Sequence, residues 1–345
     1  MDKQNLAGAL SVAGSLEEKV VAVTGADGFI GSAVCQRLLD EGAAVVCLVR
    51  DRLPRQRSGL ALRGIAERVQ IVYGDVCDPR AVEALLAEPL GLDRPVDVCV
   101  HLAAQALVNR AYRAPGQTWR TNVLGTLVVA ETCQRLGVAL VGASSDKAYG
   151  ALGEEFLPYQ ESAPLSAVLP YDATKACADI LMRSFAMAAE MPVAVARCGN
   201  TYGPGDLNFS RIVPDTIRAL LRGRRPIIRS DGTAERDYVY VDDVAEAYVR
   251  LAEYVLRERP RGEPFNFGSG RSISVLELVR KICEIFGTPD VEPEILGTEP
   301  PHIPRQWLDS SKAQQVLGWR PHYSLEQGLE KTIAWYREQR ETWLT

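Results

Sequence analysis

Tyr171 and Lys175 stand four residues apart in PYDATK, at the start of a helical pattern, so their side chains share one helix face. A phenol one turn from an ammonium loses its proton more easily, which makes it a base near neutral pH. Ser145, at the end of the apolar run ALVGASSD, offers a hydroxyl to hold the alcohol that such a base would deprotonate. YxxxK alone is a frequent chance pattern. It gains weight here from the strand-end serine before it and from a glycine loop near the N-terminus.

That loop lies in VVAVTGADGFIGSAVCQRLL, where a buried strand ends at Thr24 and Gly25, Gly28 and Gly31 lead into an amphipathic helix. Such glycines allow a tight turn, close approach of backbone to a pyrophosphate and close helix–sheet packing, while the helix N-terminus supplies N–H donors and a positive dipole. A plain βα turn has little need of three glycines at GxxGxxG spacing. Gly25, Asp27, Gly28, Phe29, Ile30 and Gly31 are therefore expected to face a dinucleotide.

The end of the second strand, LVRD, bears on which dinucleotide. An acid that bonds the ribose hydroxyls is expected about 20 residues beyond the loop in NAD sites. Val49 occupies that place, Arg50 follows it, and Arg52, Arg55 and Arg57 come next. A guanidinium at this edge suits a 2′-phosphate, so Arg50 favours NADP. NAD is the alternative, with Asp51 facing the ribose; a solvated basic loop is the structural reading. Asp75 and Val76 follow the third strand, where a carboxylate can read an adenine edge.

The elements that must position these residues alternate regularly. VVAVTG, SAVCQRLLDEG, AAVVCLVR, VQIVYGD, AVEALLAE and DVCVHLAA give way to LGTLVVAETCQRLG, ALVGASSD, TKACADILMRSFAMAAE and PVAVARCGN. Alternation of this kind predicts an α/β fold, a doubly wound parallel sheet of at least six strands with helices on both faces. After Asn200, Gly, Pro and Arg become frequent, which predicts a smaller lobe interleaved with the sheet and not joined by a tether. The boundaries expected are 17–200 for the dinucleotide domain, with parts of 235–260, and 201–345 for the second lobe. Its last helix, SLEQGLEKTIAWYREQR, is amphipathic and is expected to pack on the body.

Composition narrows the function classes. Net charge is -5 from 39 Lys plus Arg and 44 Asp plus Glu, so no global field draws the chain to nucleic acid or an anionic membrane. No apolar stretch approaches the roughly 18 residues of a membrane span. The eight cysteines are scattered in apolar runs without CxxC, and the three histidines form no repeated spacing with them. That pattern predicts buried free thiols in a reducing compartment and no metal site. MDKQNLAGALSVAGS faintly resembles a signal peptide, but Asp2 and Lys3 sit in its n-region and a strand follows at once. It is read as a short leader of a cytoplasmic protein.

GADGFIG, HLAAQ, TNVLGT, SSDKAYG, YDATK, RCGNTYGPGD and RDYVYVDD occur in order across nearly the whole chain. Together they resemble an extended short-chain dehydrogenase/reductase of the nucleotide-sugar epimerase/dehydratase group. The resemblance implies a Rossmann domain, a nucleotide-sugar lobe and a homodimer formed through helices of the larger domain. It also implies cofactor contacts at Leu102, Ala103 and Ala104 and at Tyr171 and Lys175.

Within that group the 4-epimerases usually carry small, uncharged residues after the Ser-Ser, whereas this chain has Asp146 and Lys147. The dTDP-glucose 4,6-dehydratases carry Asp-Glu there and the CDP-glucose 4,6-dehydratases Asp-Lys. By resemblance, Asp146 is the acid that protonates a departing C6 hydroxyl and Lys147 the base that takes the C5 proton; a plain ion pair at the strand end is the structural alternative. AAQALV also resembles the CDP-glucose enzymes, and Arg50 the NADP-using GDP-mannose dehydratases, so a CDP- or GDP-hexose is favoured. YGPGD and RDYVYVDD are the general forms of the group. Substrate contacts are expected from Gln105, Asn200, Arg211, Arg236 and Arg305, the arginines suiting a diphosphate because their planar forks bond its oxygens in pairs. A 4,6-dehydratase is thus the leading expectation and a 4-epimerase or uronate decarboxylase the alternative. A binding-only role would be expected to have lost Ser145, Tyr171, Lys175 or the glycines, and all are present.

Overall fold

A computed structural model of the chain describes residues 16–298 and 303–344. The leader of residues 1–15 lies outside the described residues, as does His302.

Strands β1 (Val20–Thr24), β2 (Ala44–Val49), β3 (Gln70–Tyr73), β4 (Val98–His101), β5 (Ala139–Ala143) and β6 (Val193–Cys198) form one parallel sheet with the strand Arg261–Phe267. The order across it is β3, β2, β1, β4, β5, β6 and then Arg261–Phe267. Alternate side chains of β1 serve opposite faces: Val21 and Val23 join one hydrophobic core, Val20 and Ala22 the other. Burial on both faces is why the central strands read as largely apolar runs, whereas the edge strand β3 keeps Gln70 and Tyr73 exposed. The expected α/β doubly wound sheet is what forms. Its edge strand comes from 261–267, beyond the 235–260 segment expected to rejoin the first domain, and the helix Val241–Glu258 packs beside helix α1 (Phe29–Asp40).

The order reverses between β1 and β4, so the loops after these strands diverge and leave a crevice at their carboxyl ends. The rest of the chain frames that crevice with short pairings: Asn200–Tyr202 with Tyr238–Tyr240, and Glu235–Arg236 between Ile273–Ser274 and Arg305–Gln306. The helices Val275–Phe286 and Leu325–Glu338 begin with reciprocal capping boxes, Ser274 with Glu277 and Ser324 with Gln327. The latter helix buries Leu329, Ile333 and Tyr336 against the body, as its amphipathic pattern predicts. The eight cysteines are free, six of them buried. Among the described residues no helix is long and apolar enough to cross a membrane, and no cluster of metal-ligating side chains occurs.

Candidate active site

The crevice is a cleft of about 710 Å³. One end is built by the glycine loop. Gly25 has φ +70°, and a Cβ there would lie 2.8 Å from the main-chain nitrogen of Ala103; a Cβ on Gly31 would run into the Gly25 carbonyl. Both positions thus require glycine. No side chain caps α1, whose N-cap is Gly28, so its first-turn N–H groups remain available to an anion. Gly25, Asp27, Gly28, Phe29, Ile30 and Gly31 all line this end, joined by Leu102, Ala103 and Ala104. The Asp27 carboxylate accepts from Ser58 Oγ at 2.6 Å and from Leu60 N at 3.1 Å, so it braces the segment after β2. A cradle closed to any Cβ and rimmed by free N–H groups fits a dinucleotide diphosphate.

A buried chain of hydrogen bonds fixes the β1–β4 junction. Leu102 N and Ala103 N both donate to Thr24 Oγ1, at 3.1 Å each. The Thr24 hydroxyl therefore donates to His101 Nδ1 at 2.8 Å, and His101 Nε2 donates to Thr126 Oγ1 at 3.0 Å. Thr126 passes its own proton to the Asn122 carbonyl at 2.6 Å. Counting donors in this way assigns His101 as the neutral Nε2–H tautomer. Burial, assisted by the Lys175 charge, pushes His101 down to about 3.

At the end of β2, Arg50 forms an ion pair with Asp51 at 2.7 Å, both side chains more than half exposed. Arg52 lies over the Tyr73 ring at 4.5 Å, and Arg55 and Arg57 are exposed on a short turn. Asp75 and Val76 also line the cleft, with the Asp75 carboxylate accepting from Cys77 N at 2.8 Å.

Ser145, Asp146, Lys147, Tyr171 and Lys175 all line the cleft. Ser145 caps the tight turn Asp146–Tyr149 by accepting from Lys147 N at 3.2 Å, and donates to Asp146 Oδ1 at 2.9 Å. Ser145 also favours the ionised form of the Tyr171 phenol. Lys147 Nζ donates to Asp146 Oδ2 at 2.9 Å and to Gln306 Oε1 at 2.5 Å. Burial holds Lys147 below the usual lysine range, the Asp146 carboxylate opposes that, and the Arg236 charge adds to it.

The electrostatics of Tyr171 differ from the sequence expectation. Burial raises its phenol well above the ordinary value, and the leading opposing charge is Arg211, not Lys175. Lys175 donates to the Ala143 carbonyl, and burial brings it down to about 8. In the free protein desolvation outweighs the cation one turn away.

Of the substrate residues expected, Asn200, Arg211 and Arg236 line the cleft. Asn200 Nδ2 is buried without a hydrogen-bond partner among the described residues, as a donor awaiting a ligand oxygen would be. Arg211 pairs with Asp206 at 3.0 Å and Arg236 donates to the Glu235 carbonyl at 2.7 Å. Two residues are not brought there. Gln105 is buried, its amide accepting from Leu107 N at 2.7 Å and donating to the Leu107 carbonyl and Thr118 Oγ1 at 3.1 Å. Arg305 lies outside the cleft wall, paired with Glu154 at 3.2 Å and Glu235 at 3.1 Å.

Residues 21–268 match the NAD dependent epimerase/dehydratase family. The chain belongs to that family. It is 34% identical over 330 residues to a dTDP-glucose 4,6-dehydratase of Streptomyces antibioticus, covering 93% of each chain. In structure it resembles a dTDP-glucose 4,6-dehydratase of Bacillus anthracis in complex with NAD, with TM-score 0.81 and 27% identity over 94% of this chain and 99% of that one. It equally resembles a UDP-glucose 4-epimerase of Thermotoga maritima solved with UDP-glucose, with TM-score 0.81 and 30% identity over 93% and 99% of the two chains.

Sequence reasoning did not single out two buried amides that brace this cleft. Asn122 sits in a π-helical turn, Arg120–Leu124. Its amide accepts from Gln105 N at 2.7 Å and donates to Thr174 Oγ1 at 2.9 Å, tying the β4 loop to the Tyr171–Lys175 helix. The motif TNVLGT marked that stretch without indicating its role. Gln306 is fully buried beside Asp146 and Lys147, and nothing in the sequence around it signalled a part in the site.

Proposed function

We propose that this chain is a nucleotide-sugar 4,6-dehydratase, converting an NDP-hexose to an NDP-4-keto-6-deoxyhexose. The observation that carries the reading is the Asp146–Lys147 pair, held in the same cleft wall as Ser145 and Tyr171. A dinucleotide held by Gly25, Gly28, Gly31 and the first turn of α1 would supply the hydride chemistry, accepting hydride from C4 of the sugar and giving it back at C6. Ser145 and Tyr171, facing the same cleft, bracket the C4 hydroxyl, and Tyr171, once its own phenol proton has left, accepts the proton of that hydroxyl.

The resulting C4 ketone acidifies the C5 proton. Lys147 Nζ and Asp146 Oδ2, 2.9 Å apart, redistribute one proton: ammonium and carboxylate become amine and carboxylic acid. The amine takes the C5 proton while the acid protonates the C6 hydroxyl, which leaves as water. Those two transfers restore the ion pair seen in the free protein. When hydride is given back at C6, the Lys147 ammonium returns the proton to C5, and the proton Tyr171 took from the C4 hydroxyl is relayed to the pair to close the cycle. Removal of Lys147 from solvent supports this cycle by disfavouring its charged form.

The residues at the adenosine end favour NAD, which the structural relative named above contains. Arg50 is neutralised by Asp51, with the Asp75 charge also acting on it, so the fold does not support the NADP preference read from Arg50 alone. For the substrate, the relatives act by name on dTDP- and UDP-sugars, and no contact in the cleft argues for CDP or GDP over these. The 201–345 region serves as the nucleotide-sugar lobe, with Asn200, Arg211 and Arg236 taking the diphosphate sugar. Trp119, Leu124, Ile180 and Met187 expose apolar side chains on adjoining helices, which supports a homodimer through this face.

Purified protein incubated with NAD or NADP and a panel of CDP-, GDP-, dTDP- and UDP-hexoses, read by mass spectrometry, tests the proposal. Loss of one water from one substrate is expected. An unchanged mass with a new sugar on chromatography would establish the 4-epimerase reading, which shares Ser145, Tyr171 and Lys175 and makes no use of Asp146–Lys147.

A further inference from the structure

Gln306 has no exposed surface and both ends of its amide are engaged within the turn that carries the acid–base pair. Nε2 donates to the Asp146 carbonyl at 2.9 Å. A carbonyl only accepts, so the amide orientation is settled: Oε1 faces Lys147 Nζ, at 2.5 Å. Lys147 thus has two acceptors, Asp146 Oδ2 and Gln306 Oε1, and its remaining position opens to the cleft.

The strand Arg305–Gln306 that presents this amide is itself tightly held. Gln306 stands in register with Arg236 in the small sheet. Glu235 N donates to the Pro304 carbonyl at 2.8 Å, Tyr159 N to Trp307 O at 2.9 Å, and Leu308 N to Asp237 Oδ2 at 3.3 Å. The segment therefore has little freedom to follow Lys147; Lys147 must conform to it.

We propose that Gln306 is the positioning residue of the acid–base pair, its one amide gripping the Lys147 side chain and the Asp146 main chain so that the base stands at the sugar's C5 side. The inference rests on the dehydratase reading for its catalytic consequence. An acceptor on the ammonium also favours the charged form. The charged groups facing Lys147 are Asp146 from its own turn, Asp172 from the helix Pro170–Ala189 and Arg236 from the small sheet. Gln306 is the uncharged partner among them, and therefore the one whose replacement alters Lys147 in a chosen direction.

The test compares wild type with Gln306→Met, close in shape but without acceptor or donor, and Gln306→Glu, which places a carboxylate at the ammonium. Two steps are followed: C4 oxidation, by dinucleotide absorbance in a single turnover, and water loss, by mass spectrometry. In Gln306→Met, water loss falls by about 10- to 100-fold, a misplaced base being that costly, while KM and C4 oxidation stay within about twofold. The limb of the pH–rate profile on which water loss falls as pH rises, set by loss of the pair's one proton from Lys147, moves to lower pH in Gln306→Met and to higher pH in Gln306→Glu, each by about one unit. A purely structural role would not move it in opposite directions.

Identical limbs in the folded variants, or equal loss of both steps, would overturn the proposal. Gln306→Asn, which keeps the amide on a shorter arm, replaces either variant that fails to melt cooperatively, with a limb displaced from wild type expected. Should the wild type remove water from no hexose, the dehydratase reading fails by itself. The grip on Lys147 is then read from the pH dependence of its acetylation by acetic anhydride, followed by peptide mass. Acetylation at lower pH in Gln306→Met upholds the grip, and an unchanged profile refutes it.

Discussion

Lys175 donates its ammonium to the carbonyl of Ala143, the last residue of β5, and so ties the helix bearing Tyr171 to the strand that leads into Ser145. Ser145, Tyr171 and Lys175 are thereby held as one unit, although the Tyr171 phenol itself answers mainly to burial and to Arg211.

The first prediction follows from the depressed value of about 8 at Lys175. A lowered lysine becomes neutral above that pH, so C4 oxidation, which uses its charge, declines on the alkaline side near pH 8. Lys175→Arg removes this limb at the expense of rate, and Lys175→Met lowers oxidation by about 100-fold or more. Single-turnover absorbance from pH 6 to 10 checks it; a profile flat to pH 10 in wild type would contradict it.

Asp146→Asn separates the two halves of the chemistry. The amide keeps the shape and the bond from Lys147 but has no acidic proton for the leaving hydroxyl. Oxidation at C4 is expected to persist while water loss drops by about 10²- to 10⁴-fold. Accumulated reduced dinucleotide, without a dehydrated product by mass, is the signature.

Arg197 and Asp179 form a bidentate pair at 2.8 and 2.9 Å, with side chains 1% and 0% exposed, joining β6 to the same helix. Removing one member strands the other charge in the interior. Asp179→Asn or Arg197→Met is expected to cost about 3–5 kcal/mol, and the double replacement Asp179→Leu with Arg197→Met to recover much of it. Urea unfolding measures both; additive losses would show that the pair does not act as a unit.

His101 makes stability depend on pH. Its folded value of about 3 lies below its ordinary 6.5, so the unfolded chain binds a proton that the folded chain refuses. Its contribution is fully present above pH 6.5 and is lost progressively as pH falls towards 3. His101→Asn is expected to be less stable at neutral pH yet to show a shallower decline across that window in urea unfolding.

The apolar face on the helices around Ile180 and Met187, 53% and 66% exposed, carries the last prediction. Ile180→Glu or Met187→Glu is expected to convert a dimer to a monomer in sedimentation velocity with the melting temperature little changed. A wild-type monomer would refute the dimer.

How much of this was legible depended on whether the signal was local. Strands β1, β2 and β5 could be read because each is buried on both faces and so forms an unbroken apolar run. The glycine cradle and the Tyr171–Lys175 spacing are likewise contained in single stretches. The seventh strand, RGEPFNF, escaped notice because Gly262 and Pro264 interrupt it, which an edge position tolerates. Gln105 matched a motif, but its amide is captured by Leu107 and Thr118, contacts that only the folded loop creates. The raised phenol of Tyr171 reflects burial, which spacing does not encode. Gln306 reaches its partners across 159 and 160 residues of sequence, through a strand register with no short-range mark.

That long reach orders events during synthesis. Every strand of the parallel sheet, and with it the whole glycine cradle, lies before residue 268. The corner formed by Asp146 and Lys147 is completed only when residue 306 emerges. A chain growing on the ribosome therefore assembles a dinucleotide cradle well before it has a finished acid–base pair. The reactive ketone is not committed to elimination until the polypeptide is nearly whole.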